Sequence, residues 1–244
     1  MEDQKKSCCP PGSWPYLAAD YAPKGTEDKI GDLPIYTIGQ GEKAVIVIPD
    51  AFGPNAGRHK AFCDQVAEAG YLVVMVDVFK GNGWNSSDFS GIRDWLQGYT
   101  WDKLENDVNQ VFPYLESKGV KRIAMAGFCY GAYVVFSASA SGKVHLGLNF
   151  HPSLTIYGQP EPLAENAKCP HLVLPAGNDP DQVKEGGSVE KILKSKDFGD
   201  KVKFRDFPDM KHGWMIRSEL TVAENLRDYK AGMELGLTYL KENL

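Results

Sequence analysis

The sequence predicts an α/β fold, a mostly parallel central sheet with helices packed on both faces. Three observations point to it. Short apolar runs such as Val45-Ile46-Val47-Ile48 and Leu72-Val73-Val74-Met75-Val76 are near-continuous, as in strands buried on both faces. Longer segments with helical spacing alternate with these runs. No change of composition divides the chain, so residues 26–244 read as one domain behind an irregular arm, residues 1–25, rich in Pro, Gly and Cys.

Candidate strands run Leu33–Ile38, Ala44–Pro49, Leu72–Val76, Arg122–Ala126, Val144–Phe150, His171–Pro175 and Val202–Phe207. Between the second and third, Phe62 and Val66 anchor a short helix that ends at Gly70, a C-cap residue. Trp101, Leu104, Val108, Val111, Phe112 and Leu115 fall on one stripe and predict a single helix before the fourth strand. Leu226, Tyr229, Met233, Leu237 and Leu240 predict a C-terminal helix. Ligands of such sheets bind beyond the carboxyl ends of the strands, so the residues after each strand are the candidates for function.

Composition narrows the class. A net charge of −5 over 244 residues gives no basic footprint for nucleic acid. No apolar run reaches the roughly 18 residues of a membrane span. The first residues, Met1-Glu2-Asp3-Gln4-Lys5-Lys6, are not followed by an apolar stretch, so no export signal is expected. The five cysteines are then expected to be reduced thiols in the cytosol. On that reading the acceptor pattern Asn85-Ser86-Ser87 carries no glycan.

The fourth strand runs into Gly127-Phe128-Cys129-Tyr130-Gly131, a G-x-C-x-G turn opening a helix. This is the thiol version of the nucleophile elbow. The turn is too tight for side chains two residues either side of its tip, and the helix amino end favours a thiolate. A thiol nucleophile needs an imidazole, which needs a carboxylate to set its tautomer. Asp179 follows one strand, His212 follows the next, and both come after Cys129 in the chain order this turn requires. Asp181 competes with Asp179, which is preferred because it comes first on its turn; Asp209 is too close in sequence to His212. His59 and His151 precede Asp179, while His145 and His171 sit inside strands. Cys63 and Cys169 read as small hydrophobes. Cys8-Cys9 could form a redox or metal pair, but adjacent cysteines with no matching ligand pair nearby are a weak metal signal.

These residues together resemble the dienelactone hydrolase family of the α/β-hydrolase superfamily. The elbow resembles that family's G-x-C-x-G, and Pro49-Asp50-Ala51-Phe52-Gly53 its acidic-x-Phe-Gly loop. Val76-Asp77-Val78-Phe79-Lys80-Gly81 is similar to its Asp-aromatic-basic segment, and His212-Gly213-Trp214 with Arg217 to its His-Gly-aromatic segment. The Cys-Cys-Pro-Pro-Gly arm resembles eukaryotic members more than bacterial ones. The resemblance implies an α/β-hydrolase fold and a Cys-His-Asp hydrolase opening lactones such as cyclic enol-lactones. It implies that Cys129 attacks, His212 is the base and Asp179 orients it. It also implies that Asp50 takes the thiol proton and that the N–H groups of Tyr130 and Ala51 hold the oxyanion. Lys80 and Arg217 would bind an anionic group of the small-molecule lactone or ester. His151-Pro152-Ser153 and Trp84 would line the pocket. No cofactor or metal is implied. A thioesterase or another ester hydrolase with the same triad, or a non-catalytic redox-responsive protein on the same fold, stays open.

Overall fold

The computed structural model describes residues 8–86 and 88–244. The first seven residues of the arm, with the expected absence of an export signal, lie outside the described residues, as does Ser87 of the Asn85 acceptor pattern. Eight strands form one sheet: β1 (Thr26–Ile30), β2 (Leu33–Ile38), β3 (Lys43–Ile48), β4 (Leu72–Val76), β5 (Arg122–Phe128), β6 (Leu146–Phe150), β7 (His171–Leu174) and β8 (Lys203–Phe204). Their spatial order is β1-β2-β4-β3-β5-β6-β7-β8. From β4 to β8 every pairing is parallel; the β1–β2 and β2–β4 pairings are antiparallel.

The seven predicted strands are all present. The last is much shorter than expected, only Lys203–Phe204, and Phe207 rejoins the sheet as an isolated parallel bridge to Ala176. β1 was not predicted. Its sequence, Thr-Glu-Asp-Lys-Ile, is exposed almost throughout and has no apolar alternation to betray it. Charged side chains on a short outer strand discourage pairing with another chain.

The side chains of the inner strands divide between two faces. Ala44, Ile46, Ile48, Val74 and Val76 face one core, covered by α3 (Trp101–Asn109), α4 (Val111–Ser117) and α5 (Tyr130–Ser139). Val45, Val47, Val73 and Met75 face the other, covered by α1 (His59–Glu68), α8 (Trp214–Arg217) and α9 (Ala223–Asn243). The other α-helices among the described residues are α2 (Ile92–Leu96), α6 (Glu161–Asn166) and α7 (Ser188–Lys194). No helix among the described residues is long and apolar enough to cross a membrane.

The predicted helix from Trp101 to Leu115 is two helices, α3 and α4. Its stripe is correct: Leu104, Val108, Val111, Phe112 and Leu115 are all buried. Pro113 accounts for the division, because it has no N–H to donate to the Asn109 carbonyl four residues back. The helix predicted around Phe62 and Val66 ends as expected, with Gly70 at φ +99°.

Candidate active site

The candidate site lies at the carboxyl ends of β3, β5, β6 and β7. Cys129 sits between β5 and α5 with φ 53° and ψ −116°, a conformation that costs a non-glycine residue strain. The flanking glycines are sterically required. A Cβ on Gly131 would lie 2.2 Å from the Ile48 carbonyl oxygen, and one on Gly127 would lie 2.4 Å from the Gly131 carbonyl carbon. The amino end of α5 is thereby pressed onto the end of β3.

His212 and Asp179 meet. The imidazole Nδ1–H donates to Asp179 Oδ1 at 2.6 Å, and the other carboxylate oxygen accepts the Ala176 N–H at 2.7 Å. Asn178 fixes the imidazole's backbone: its side-chain oxygen accepts the His212 N–H at 2.6 Å. Asp181 is instead on the surface with Lys184, and Asp209 faces solvent near Arg227. Ser153 Oγ bridges the other side, 3.4 Å from both Cys129 Sγ and His212 Nε2.

Electrostatics couples sulfur to imidazole. Burial pushes the Cys129 thiol up, but hydrogen bonds from Cys8 and Cys9 and the charge of His212 outweigh it, so the thiol lies well below its ordinary range. Burial pulls His212 down, but the charges of Cys129 and Asp179 hold it well above the usual imidazole range. Both shifts favour the charged forms, a thiolate beside an imidazolium, over the neutral pair. His151, at φ 38°, packs its ring edge-on to His212 with centroids 5.0 Å apart. Burial first, then the charge of His212, keeps His151 neutral.

Asp50 is fully buried, and its bonds go to the Phe52 N–H at 3.0 Å and to Arg217 Nη1. Its own N–H donates to His59 Nε2 at 3.2 Å, which requires an unprotonated nitrogen there; burial likewise pulls the His59 pKa down. Arg217 donates its Nε–H to the Trp14 carbonyl at 3.0 Å and stacks 4.9 Å over the Phe52 ring. Its buried Nη2 has no partner among the described residues. Lys80 is committed to surface carboxylates, 2.9 Å from both Asp32 and Asp107. Trp84 donates its backbone N–H to the Ala51 carbonyl at 2.7 Å, bracing the loop that carries the candidate oxyanion donor.

Sequence reading did not associate the arm with this site. Cys8 Sγ lies 3.1 Å from Cys129 Sγ, and Cys9 Sγ lies 3.9 Å from Cys8 Sγ. The three sulfurs fall within 4.8 Å of one another. The third sulfur beside the Cys8-Cys9 pair is therefore that of Cys129. No local pattern announces a contact between residues 121 positions apart. The Pro-Pro-Gly that follows, a turn signature, was the available hint that the pair is held in place.

The dienelactone hydrolase family model matches residues 35–237. Over 236 residues the chain is 27% identical to the hydrolase pyvD of Aspergillus violaceofuscus, an alignment covering 91% of each protein. Over 121 residues it is 34% identical to a carboxymethylenebutenolidase homolog of Xenopus tropicalis, covering 47% of this chain and 49% of that one. The crystal structure of a candidate dienelactone hydrolase from Klebsiella pneumoniae superposes with a TM-score of 0.71 at 18% identity, over 91% of this chain and 99% of that one. A dienelactone hydrolase from Anabaena variabilis gives 0.62 at 12% identity, over 91% and 98%. The structural likenesses establish the α/β-hydrolase fold, and the match over most of the sequence establishes kinship. The chain belongs to the dienelactone hydrolase family of carboxylic-ester hydrolases.

Proposed function

We propose that the protein hydrolyses lactones or small activated esters through Cys129, His212 and Asp179. The observation that carries this is the 2.6 Å bond from His212 Nδ1 to Asp179, which leaves Nε2 directed toward a thiol whose charged form is favoured. In this mechanism the Cys129 thiolate attacks the acyl carbon, and the Tyr130 and Ala51 N–H groups receive the developing oxyanion. His212, already protonated, gives its proton to the leaving oxygen. It then takes one from the water that attacks the thiol ester, and Asp179 stabilises the imidazolium throughout. A thiolate is a good nucleophile, but its thiol ester must still be hydrolysed, so activated esters and lactones suit the site better than amides.

In the same proposal the unpartnered Nη2 of Arg217 receives an anionic group of the substrate, and His151, Trp84 and Ser153 line the pocket. Lys80 contributes by field, since its ammonium is held by two carboxylates. Asp50 serves the thiol only after loosening its hold on Arg217; while bound there its main effect is to orient the guanidinium. A cytosolic setting, where thiols stay reduced, belongs to this reading. The test is a panel of p-nitrophenyl esters and lactones given to the reduced protein. Turnover abolished in Cys129→Ala and His212→Ala is the expected outcome; rates unchanged from the unmodified protein in both variants would overturn it.

A further inference from the structure

The arm enters the candidate site as a preshaped plug. Pro10-Pro11-Gly12-Ser13 forms a turn, with Gly12 at φ +84° and the Ser13 N–H donating to the Pro10 carbonyl at 3.1 Å. Three further bonds fasten it. The Trp14 N–H donates to the His212 carbonyl at 2.8 Å, Asn178 Nδ2 donates to the Pro11 carbonyl at 3.0 Å, and Arg217 reaches the Trp14 carbonyl. These anchors belong to the candidate site: Asn178 also holds the His212 backbone. Among the described residues of the arm, only Cys8 and Cys9 are buried in the core. Ser153 donates its hydroxyl to the Cys8 carbonyl, and Cys129 Sγ lies 3.7 Å from the same oxygen. Cys129 is left 1% exposed.

We propose that Cys8 is the resolving partner of Cys129, and that a hydroperoxide joins the two as a disulfide that locks the arm in the active site. In the first step the Cys129 sulfur attacks a peroxide oxygen. The S–O bond forms, the O–O bond breaks, and the departing hydroxide takes a proton from His212 and leaves as water. Cys129 is oxidised by two electrons to a sulfenic acid and the peroxide is reduced. In the second step the Cys8 sulfur attacks the sulfenic sulfur. The S–S bond forms, the S–O bond breaks, and the hydroxide leaves as water with the Cys8 proton. Two thiols and one hydrogen peroxide give one disulfide and two waters. A reductant reverses the link through thiol–disulfide exchange and frees the arm.

The asymmetry of the thiols fits these roles. The hydrogen bond to Cys129, then that to Cys9 and burial, hold Cys8 well above the ordinary thiol range, so the protonated form of Cys8 is favoured beside Cys129. The thiolate that reacts with peroxide is thus Cys129, and the neighbour 3.1 Å away is Cys8. A Cys8–Cys9 link would instead close a small ring through the intervening peptide and strain its planarity.

The inference rests on the reading of Cys129 as the active thiol, but its chemistry can be read without turnover. The reduced full-length protein is treated with a slight excess of hydrogen peroxide in the presence of a chelator. Its cysteine linkages are then mapped by non-reducing peptide mass spectrometry, with ester hydrolysis followed in parallel. A dominant Cys8–Cys129 linked peptide, a parallel loss of activity, and recovery of both with dithiothreitol are expected. In Cys8→Ser the same peroxide should carry Cys129 on to sulfinic acid, so that dithiothreitol no longer restores activity, while Cys9→Ser should still form the link. Sulfinic Cys129 in the unmodified protein as readily as in Cys8→Ser would overturn the proposal. So would a dominant Cys8–Cys9 link, or inactivation by added zinc alone with no linked peptide. A linked peptide in a protein that hydrolyses no ester would keep this inference and remove the proposed hydrolysis; active protein without the link would do the reverse.

Discussion

Cys129 owes its charge state to its neighbours, so its reactivity toward iodoacetamide is a direct readout of them. In Cys8→Ser, which keeps the candidate triad but removes the Cys8 thiol's hydrogen bond, part of the lowering is lost. The Cys9 hydrogen bond and the charge of His212 should still hold the labelling midpoint of Cys129 below the ordinary thiol range. Replacing His212 with Ala in that background removes the charge that favours the thiolate, and the midpoint of the labelling profile should move upward; a profile unmoved by the change would contradict the coupling. On the proposed mechanism, Asp179→Asn keeps the geometry but not the tautomer control, and kcat should fall on the order of 10^4-fold. Arg217 and Asp50 make a different kind of pair. Both are buried, so Arg217→Met leaves a lone buried carboxylate and should cost about 3–5 kcal/mol by urea denaturation. A loss below about 1 kcal/mol, the size of an exposed pair, would show that the pair is not sealed from water.

The elements show which parts of the structure the sequence exposes. β3, β4 and β5 were readable because strands covered on both faces must be apolar throughout, and the elbow because its glycines are sterically forced. β1 was not readable, since an edge strand answers to solvent rather than to a core. The C-terminal stripe was readable only in part. Tyr229, Met233 and Leu240 are buried as expected, but Gly232 and Gly236 are buried too, and glycine carries no hydrophobic signal. A Cβ on Gly232 would lie 2.6 Å from the Trp214 ring, so α9 approaches α8 through a gap that only glycine leaves. Gly232→Ala should therefore destabilise the protein by about 1–3 kcal/mol, the usual cost of overpacking, although alanine is the better helix former. A gain in stability would mean that α9 can shift without loss. Of the candidate site, the thiol, imidazole and acid were readable because strand ends and chain order narrow the choice. The arm's contact was not, because it depends on a long-range fold-back with no periodicity.

Across the molecule, buried histidines tie stability to pH. Burial holds His59, His151 and His171 below the usual imidazole range, His171 at about 3. Unfolded imidazoles take up a proton near pH 6.5. The unfolded state thus binds more protons below that pH, and stability falls as pH drops from about 6.5 toward the folded values. His212 acts with the opposite sign. Its raised folded value contributes stability that is fully present below about pH 6.5 and is lost as pH rises from there through the raised value of the folded state. His145 is also held below its ordinary range by burial, so four groups stand against one. The urea midpoint should be lower at pH 5 than at pH 7, and His171→Gln should flatten that slope; an unchanged slope would contradict the assignment. The closed arm adds a constraint on the whole chain, since a substrate meets Cys129 only when residues 8 and 9 withdraw. The proposed chemistry is tested most directly by quenching the reduced protein during turnover of a p-nitrophenyl ester and mapping the acyl group by peptide mass spectrometry. An acyl group on Cys129, absent from Cys129→Ala together with turnover, is the expected result. An acyl group on another residue, or hydrolysis that survives in Cys129→Ala, would contradict it.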